Sequence, residues 1–209
     1  MRGEPAAELI AVLEDAQRLG FLGSRPIPEV IEHARGFVRA IEHRPSIRTV
    51  LDLGSGGGVP GLVIAHDLPS MHVTLLDRRA KRTDALERYV RRLGWQDRVS
   101  IVCQDVAAYE MEPRFDAVVA RGFGPPDFTL TAAARLVRPG HPIVISEPPD
   151  ADRWRAELLH RLGLRLERGP VLVDSTDVTA DGEDHDRGDI GVRGSPSGID
   201  GLVAVFVKE

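Results

Sequence analysis

The chain predicts an α/β fold built on a mainly parallel sheet of seven strands, with helices between the strands and an antiparallel pair at the end. Three observations carry that expectation. From residue 48 to residue 161, short apolar runs alternate with segments whose apolar residues recur at helical spacing, the pattern of successive βαβ crossovers. The first apolar run ends in a glycine-rich turn, Gly54-Ser55-Gly56-Gly57-Gly58. The last two runs, 164–173 and 202–207, have no helical pattern between them, so they pair as an antiparallel hairpin at one sheet edge.

Each element follows from its residues. Over 6–19 and 28–43 the apolar positions Leu9, Val12 and Leu13, then Val30, Ile31, Phe37, Val38 and Ile41, fall at helical spacing, and Pro28 suits a first turn. These helices form a short cap, residues 1–46, ahead of a core over 47–209. Strands are expected at 48–53, 72–76, 99–103, 115–120 and 142–146, and helices near 59–67, 79–94, 127–137 and 151–161. Right-handed crossovers make such a sheet parallel. The connection 174–201 is rich in Asp, Gly and Ser and reads as a mobile acidic loop. Its acids do not match an EF-hand.

A chain of 209 residues suffices for one substantial core, so a single domain over 1–209 is expected. Hydrophobic content of 42% with 28% charged residues is that of a soluble globular protein. No run of eighteen apolar residues occurs and the first residues lack an apolar stretch, so neither a membrane span nor a signal peptide is expected. The single Cys103 cannot form an internal disulfide. It is expected to be a buried structural thiol in a cytoplasmic protein. A monomer is expected, with a dimer as the other option. The net charge of −5 conceals a split, because Arg78, Arg79, Lys81, Arg82, Arg88, Arg91, Arg92 and Arg98 crowd one stretch. That stretch meets phosphates or is a solvated helix face.

The glycine turn carries the chemistry. Val50-Leu51-Asp52-Leu53 reads as a buried strand feeding the turn, and Val73-Thr74-Leu75-Leu76-Asp77 as a second strand ending on a carboxylate. This is how a Rossmann-like sheet builds a nucleotide-type site at its strand ends. Gly54, Gly56, Gly57 and Gly58 permit positive φ and close approach of a ligand, and Gly61 belongs with Gly54, Gly56 and Gly58 to the expected cofactor-binding set. Ser55 and the amides at the next helix N-terminus offer donors. Asp77 can accept ribose hydroxyls, and Asp52 can orient the turn or meet a cationic group. Dinucleotides and S-adenosylmethionine both use this arrangement. The Asp-x-Gly-x-Gly pattern suits the sulfonium ligand better, because G-x-G-x-x-G fits only as Gly56-x-Gly58-x-x-Gly61. No metal site is expected.

With Leu51 to Gly61, Leu75-Leu76-Asp77, Lys81-Arg82 and Phe115-Asp116-Ala117-Val118-Val119-Ala120-Arg121 in order, the chain resembles the GidB family of bacterial 16S ribosomal RNA guanine-N7 methyltransferases over about residues 25–145. The Gly-x-Pro-Gly ending and the Lys-Arg pair are its specific signals. The resemblance implies a class I methyltransferase fold, with S-adenosylmethionine held by the glycine turn, by Asp77 with Arg78, and by Gln104, Asp105 and Val106 around the adenine. It also implies Arg121 at the methyl-transfer face, touching both cofactor and acceptor, and His33 facing the active site from the N-terminal helices. Ribosomal RNA or the small ribosomal subunit is the implied partner, with Arg25, Arg35 and Arg39 adding to the basic stretch.

Two departures bear on the acceptor. Ser146-Glu147-Pro148-Pro149 stands where the family commonly has a lysine-glycine pair, and Gly122-Phe123-Gly124-Pro125-Pro126 replaces an alanine-rich continuation. A carboxylate repels phosphate, so a small-molecule acceptor is the alternative. A non-catalytic cofactor-binding protein and a nicotinamide dehydrogenase are further readings.

Overall fold

The computed structural model describes residues 6–109, 115–146, 154–168 and 203–209. Glu147, the acidic loop at 174–201 and the expected end of a strand at 169–173 lie outside the described residues. The chain runs α1 (Ala7–Arg18), α2 (Ile27–Ile41), β1 (Thr49–Leu53), α3 (Gly61–Asp67), β2 (His72–Asp77), α4 (Ala80–Leu93), β3 (Val99–Cys103), β4 (Ala117–Ala120), α5 (Pro126–Leu136), β5 (Pro142–Ser146), α6 (Ala156–Leu162), β6 (Leu164–Arg168) and β7 (Val203–Lys208).

The seven strands form one sheet in the order β3-β2-β1-β4-β5-β7-β6. The first five are parallel: Leu51 stands beside Thr74 and Val118, and Leu75 beside Ile101. β7 enters antiparallel to β5, with Val144 opposite Val205, and β6 closes the edge antiparallel to β7. The expected hairpin is present, with its second strand on the inside. Strand order reverses between β1 and β4, where crossovers leave toward opposite ends of the sheet and open a crevice at the strand C-termini.

Burial on both faces explains why the central strands read as continuous apolar runs. Val50, Val73, Leu75, Val119 and Val144 point to one core, and Leu51, Leu53, Leu76, Val118 and Ile143 to the other. Helices α1 to α4 cover the first face, and α5 and α6 the second. The N-terminal helices are therefore part of a layer: Leu9, Val12, Leu13, Phe37 and Ile41 are fully buried there. The Tyr89 hydroxyl on α4 donates to Asp15 of α1 at 2.7 Å. Cys103 corrects the sequence expectation because it is exposed. It ends β3, the edge strand, which has a neighbour, β2, on one side only.

Two features hold the framework away from the crevice. Asp116 is buried and accepts from the N–H groups of Arg48 and Thr49 and from the Thr49 hydroxyl at 2.9–3.0 Å, with Arg138 on its other oxygen. It ties the start of β1 to that of β4. Gly94 ends α4 in the left-handed region at φ 68°, the usual role of glycine beyond a helix.

Candidate active site

The glycine turn between β1 and α3 is held by the ends of the neighbouring strands. Gly54 and Ser55 donate their N–H groups to the carbonyl of Leu76, and Gly56 donates to Asp77 Oδ2 at 3.0 Å. Gly58 donates to the Ser55 carbonyl, and Gly61 to Asp52 Oδ2 at 2.9 Å. These amides are satisfied within the protein, which corrects the expectation that they stand ready for a ligand. Ser55 is corrected in the same way: it is buried, and its hydroxyl donates to the Asp52 carbonyl.

The glycines divide by what their bare faces meet. A Cβ on Gly58 would lie 2.5 Å from Leu62, and one on Gly61 2.3 Å from Leu75 and 2.6 Å from Asp52. A Cβ on Gly57 would lie 2.6 Å from Leu22. Those positions are bare so that the turn packs against its own protein. Gly56, at φ 55°, has only distant neighbours. Gly54, at φ 75°, is the one that lines a cavity.

That first cavity, of about 240 Å³, also takes Asp77, Arg78, Gln104, Asp105 and Val106. The expected adenosine residues are thus brought together. Asp77 is 5% exposed and already engaged: Oδ1 accepts from Arg79 N–H at 2.9 Å, and Oδ2 from Gly56 N–H and from Arg82 at 3.2 Å. A carboxylate has about four acceptor positions, so one remains for a ligand hydroxyl while Arg82 stays in place. Asp105 accepts from Ala107 N–H and pairs with Arg78 at 3.5 Å, and Gln104 donates to the Ala108 carbonyl.

The second cavity, of about 560 Å³, holds Arg121, His33, Arg25, Ser146 and Trp154. It borders the first along the loop Gly122-Phe123-Gly124, which lines both. Arg121 and His33 therefore line one space. Arg25 does too, whereas Arg35 pairs with Asp67 at 3.1 Å and Arg39 with Glu32 at 2.9 Å. Of the three arginines expected to hold phosphates, Arg25 alone lines this cavity. Trp154 and Phe123 were missed by sequence reasoning. An aromatic between two glycines just past a strand was the available signal for Phe123.

Asp52 is buried near the end of β1, under the glycine turn. It is 1% exposed, and its Oδ1 has no hydrogen-bond partner among the described residues. Burial pushes its carboxyl up to about 7, opposed by the Gly61 N–H and by the charge of Arg121. Burial likewise holds the Arg121 guanidinium below its ordinary value, with Asp52 opposing and Arg25 adding to the shift. Asp52 and Arg121 act on each other through space.

Comparison with known proteins gives the family and the fold. A family model described as rRNA small subunit methyltransferase G (GidB) matches residues 7–147. The chain is 42% identical over 86 residues to the ribosomal RNA small subunit methyltransferase G of Rhizorhabdus wittichii, covering 41% of this chain and 39% of that protein. It is 36% identical over 121 residues to the enzyme of the same name from Nocardioides sp., covering 57% and 48%. The chain thus spans about half, or less, of the length of these curated relatives. A SAM-dependent methyltransferase from Geobacter sulfurreducens, solved in complex with S-adenosyl-L-homocysteine, superposes with a TM-score of 0.52 at 26% identity over 66% of this chain and 65% of that one. The family match embraces the glycine turn, Asp77, Asp105 and Arg121 together with both N-terminal helices, so the chain belongs to the rRNA small subunit methyltransferase G family.

Proposed function

We propose that this protein, working as one domain over 1–209, transfers a methyl group from S-adenosylmethionine to guanine N7 of 16S ribosomal RNA. The observation that carries this reading is the pair of adjoining cavities at the strand C-termini, with Asp77 in one and Arg121 and His33 in the other. The residues fit the cofactor. At Gly54 only the movable Phe123 ring lies against the bare face, and Asp52 Oδ1 is a buried acceptor with no hydrogen-bond partner among the described residues, suited to a cationic ligand group. Asp77 would hold the ribose, Gln104, Asp105 and Val106 would surround the adenine, and Gly54 and Asp52 would face the methionyl arm.

When bound, the cofactor supplies an electrophilic methyl on a sulfonium. The chain's own residues orient the acceptor and exclude water. Guanine N7 carries a free lone pair and loses no proton before attack, so the site needs no general base. His33 and Arg121 are positioned to orient the acceptor, and Arg121 with Arg25 offers donors to carbonyl or phosphate oxygens. Lys81, Arg88 and Arg92 are exposed and recur at seven- and eleven-residue spacing on α4, which places them on one stripe of the helix. That stripe supports phosphate contact, and a cytoplasmic monomer accords with the reading.

Mass spectrometry of 16S ribosomal RNA tests the proposal, using a strain that lacks the family enzyme, with and without this protein. Return of N7-methylguanine supports it. Unmethylated RNA alongside a protein that binds S-adenosylhomocysteine leaves the small-molecule acceptor as the better account.

A further inference from the structure

We infer that Phe123 is the gate of the cofactor site: in the free protein its ring fills the groove over Gly54 that the bound methionyl arm would occupy, and it must swing away to join the two cavities. The inference rests on the cofactor reading above. An ideal Cβ on Gly54 would lie 2.3, 3.1 and 3.3 Å from Phe123 Cδ2, Cε2 and Cγ, so the ring lies directly against the bare face of that glycine. Gly54 and Asp77 line the first cavity, Arg121 lines the second, and Phe123 lines both. A ligand reaching from the Asp77 side past Gly54 toward Asp52 and Arg121 meets this ring.

The surroundings are built for movement. Phe123 stands between two glycines, and Gly122 adopts φ 60° with nothing within 4 Å of a Cβ placed there. Single residues at the ends of elements absorb the dihedral change of such motions. The ring is held at rest by stacking on Phe128, with centroids 5.7 Å apart and planes at 18°. Phe128 is itself 49% exposed, so the stack leans on a residue that yields easily. A site occupied by its own side chain binds ligand only from the fraction of molecules in which the ring has left, which lowers the apparent association rate by that fraction.

Surface plasmon resonance with S-adenosylhomocysteine on the immobilised full chain tests this, after circular dichroism melts of each variant. Phe123→Ala is expected to raise the association rate constant by about tenfold or more. Phe123→Leu, which keeps apolar bulk but loses the far edge of the ring, falls between. Phe128→Ala leaves Gly54 covered but removes the stack, and raises the rate by about threefold to tenfold. Phe123→Trp slows it. Association rates of Phe123→Ala and Phe123→Leu within twofold of wild type, with binding intact, overturn the gate and leave the cofactor reading standing. Absence of binding in wild type and all variants overturns both, whereas binding only once Phe123 is shortened supports the gate.

Discussion

Asn in place of Asp52 should make the protein more stable at neutral and alkaline pH, and by an amount that grows with pH. The carboxyl is 1% exposed, one oxygen is held by Gly61 N–H at 2.9 Å, and the other has no hydrogen-bond partner among the described residues. Burial moves its titration from the ordinary 3.8 to about 7. The folded protein therefore binds a proton between those values that the unfolded chain has released. Stability from this group is full below pH 4 and is lost as pH rises to about 7. At ~1.36 kcal/mol per unit, ionised Asp52 disfavours the fold by about 4 kcal/mol above pH 7. Asn keeps an oxygen for the Gly61 N–H and does not titrate. Urea unfolding of wild type and Asp52→Asn at pH 5 and pH 8 isolates the effect, because all other groups cancel in the difference. The advantage of Asp52→Asn should grow by about 2–3 kcal/mol between the two. A difference that stays flat with pH, or a variant less stable than wild type at pH 8, refutes the reasoning.

The sulfonium of S-adenosylmethionine favours ionised Asp52, so S-adenosylmethionine affinity should rise with pH up to about 7 by as much as tenfold per unit; Asp52→Asn should abolish that dependence in calorimetric titrations. Asp116 behaves oppositely: burial alone would raise its carboxyl, but the N–H groups of Arg48 and Thr49, the Thr49 hydroxyl and Arg138 together hold it below the ordinary 3.8. Its contribution is present above pH 4 and lost below, so Asp116→Asn should flatten the acid limb of a thermal-melt series. Gly61→Ala brings a Cβ to 2.3 Å from Leu75 and should cost about 1–3 kcal/mol in chemical denaturation. Replacing Lys81, Arg88 and Arg92 together by Ala should weaken binding of a ribosomal RNA fragment and reduce the slope of log affinity against log salt by about 2–3, with S-adenosylhomocysteine binding unchanged.

Much of the framework was legible because it depends on local pattern. The strands follow from apolar runs, the turn from its glycines, and Asp77 from its place at the end of β2. Several features depend on how the chain packs and could not be read. Ser55 turns inward because Asp52 and Leu76 offer it partners. Gly58 and Gly61 are bare for Leu62, Leu86 and Leu75 rather than for a ligand. Cys103 is exposed because β3 became the sheet edge, and an apolar run says nothing of strand order. Arg35 and Arg39 looked free in sequence, yet spacing along α2 and the approach of α3 give them Glu32 and Asp67. Phe123 was visible only as a departure from a family pattern, since its contact with Gly54 crosses from the end of β4 to the end of β1.

Isothermal titration of S-adenosylhomocysteine into wild type and Asp77→Asn bears most directly on the paired cavities as a cofactor and acceptor site. Wild type should bind one equivalent, and Asp77→Asn should bind about tenfold to a hundredfold more weakly, as expected when a charged acceptor is lost. A folded wild-type protein that gives no heat, or equal affinity in the two proteins, would contradict the account.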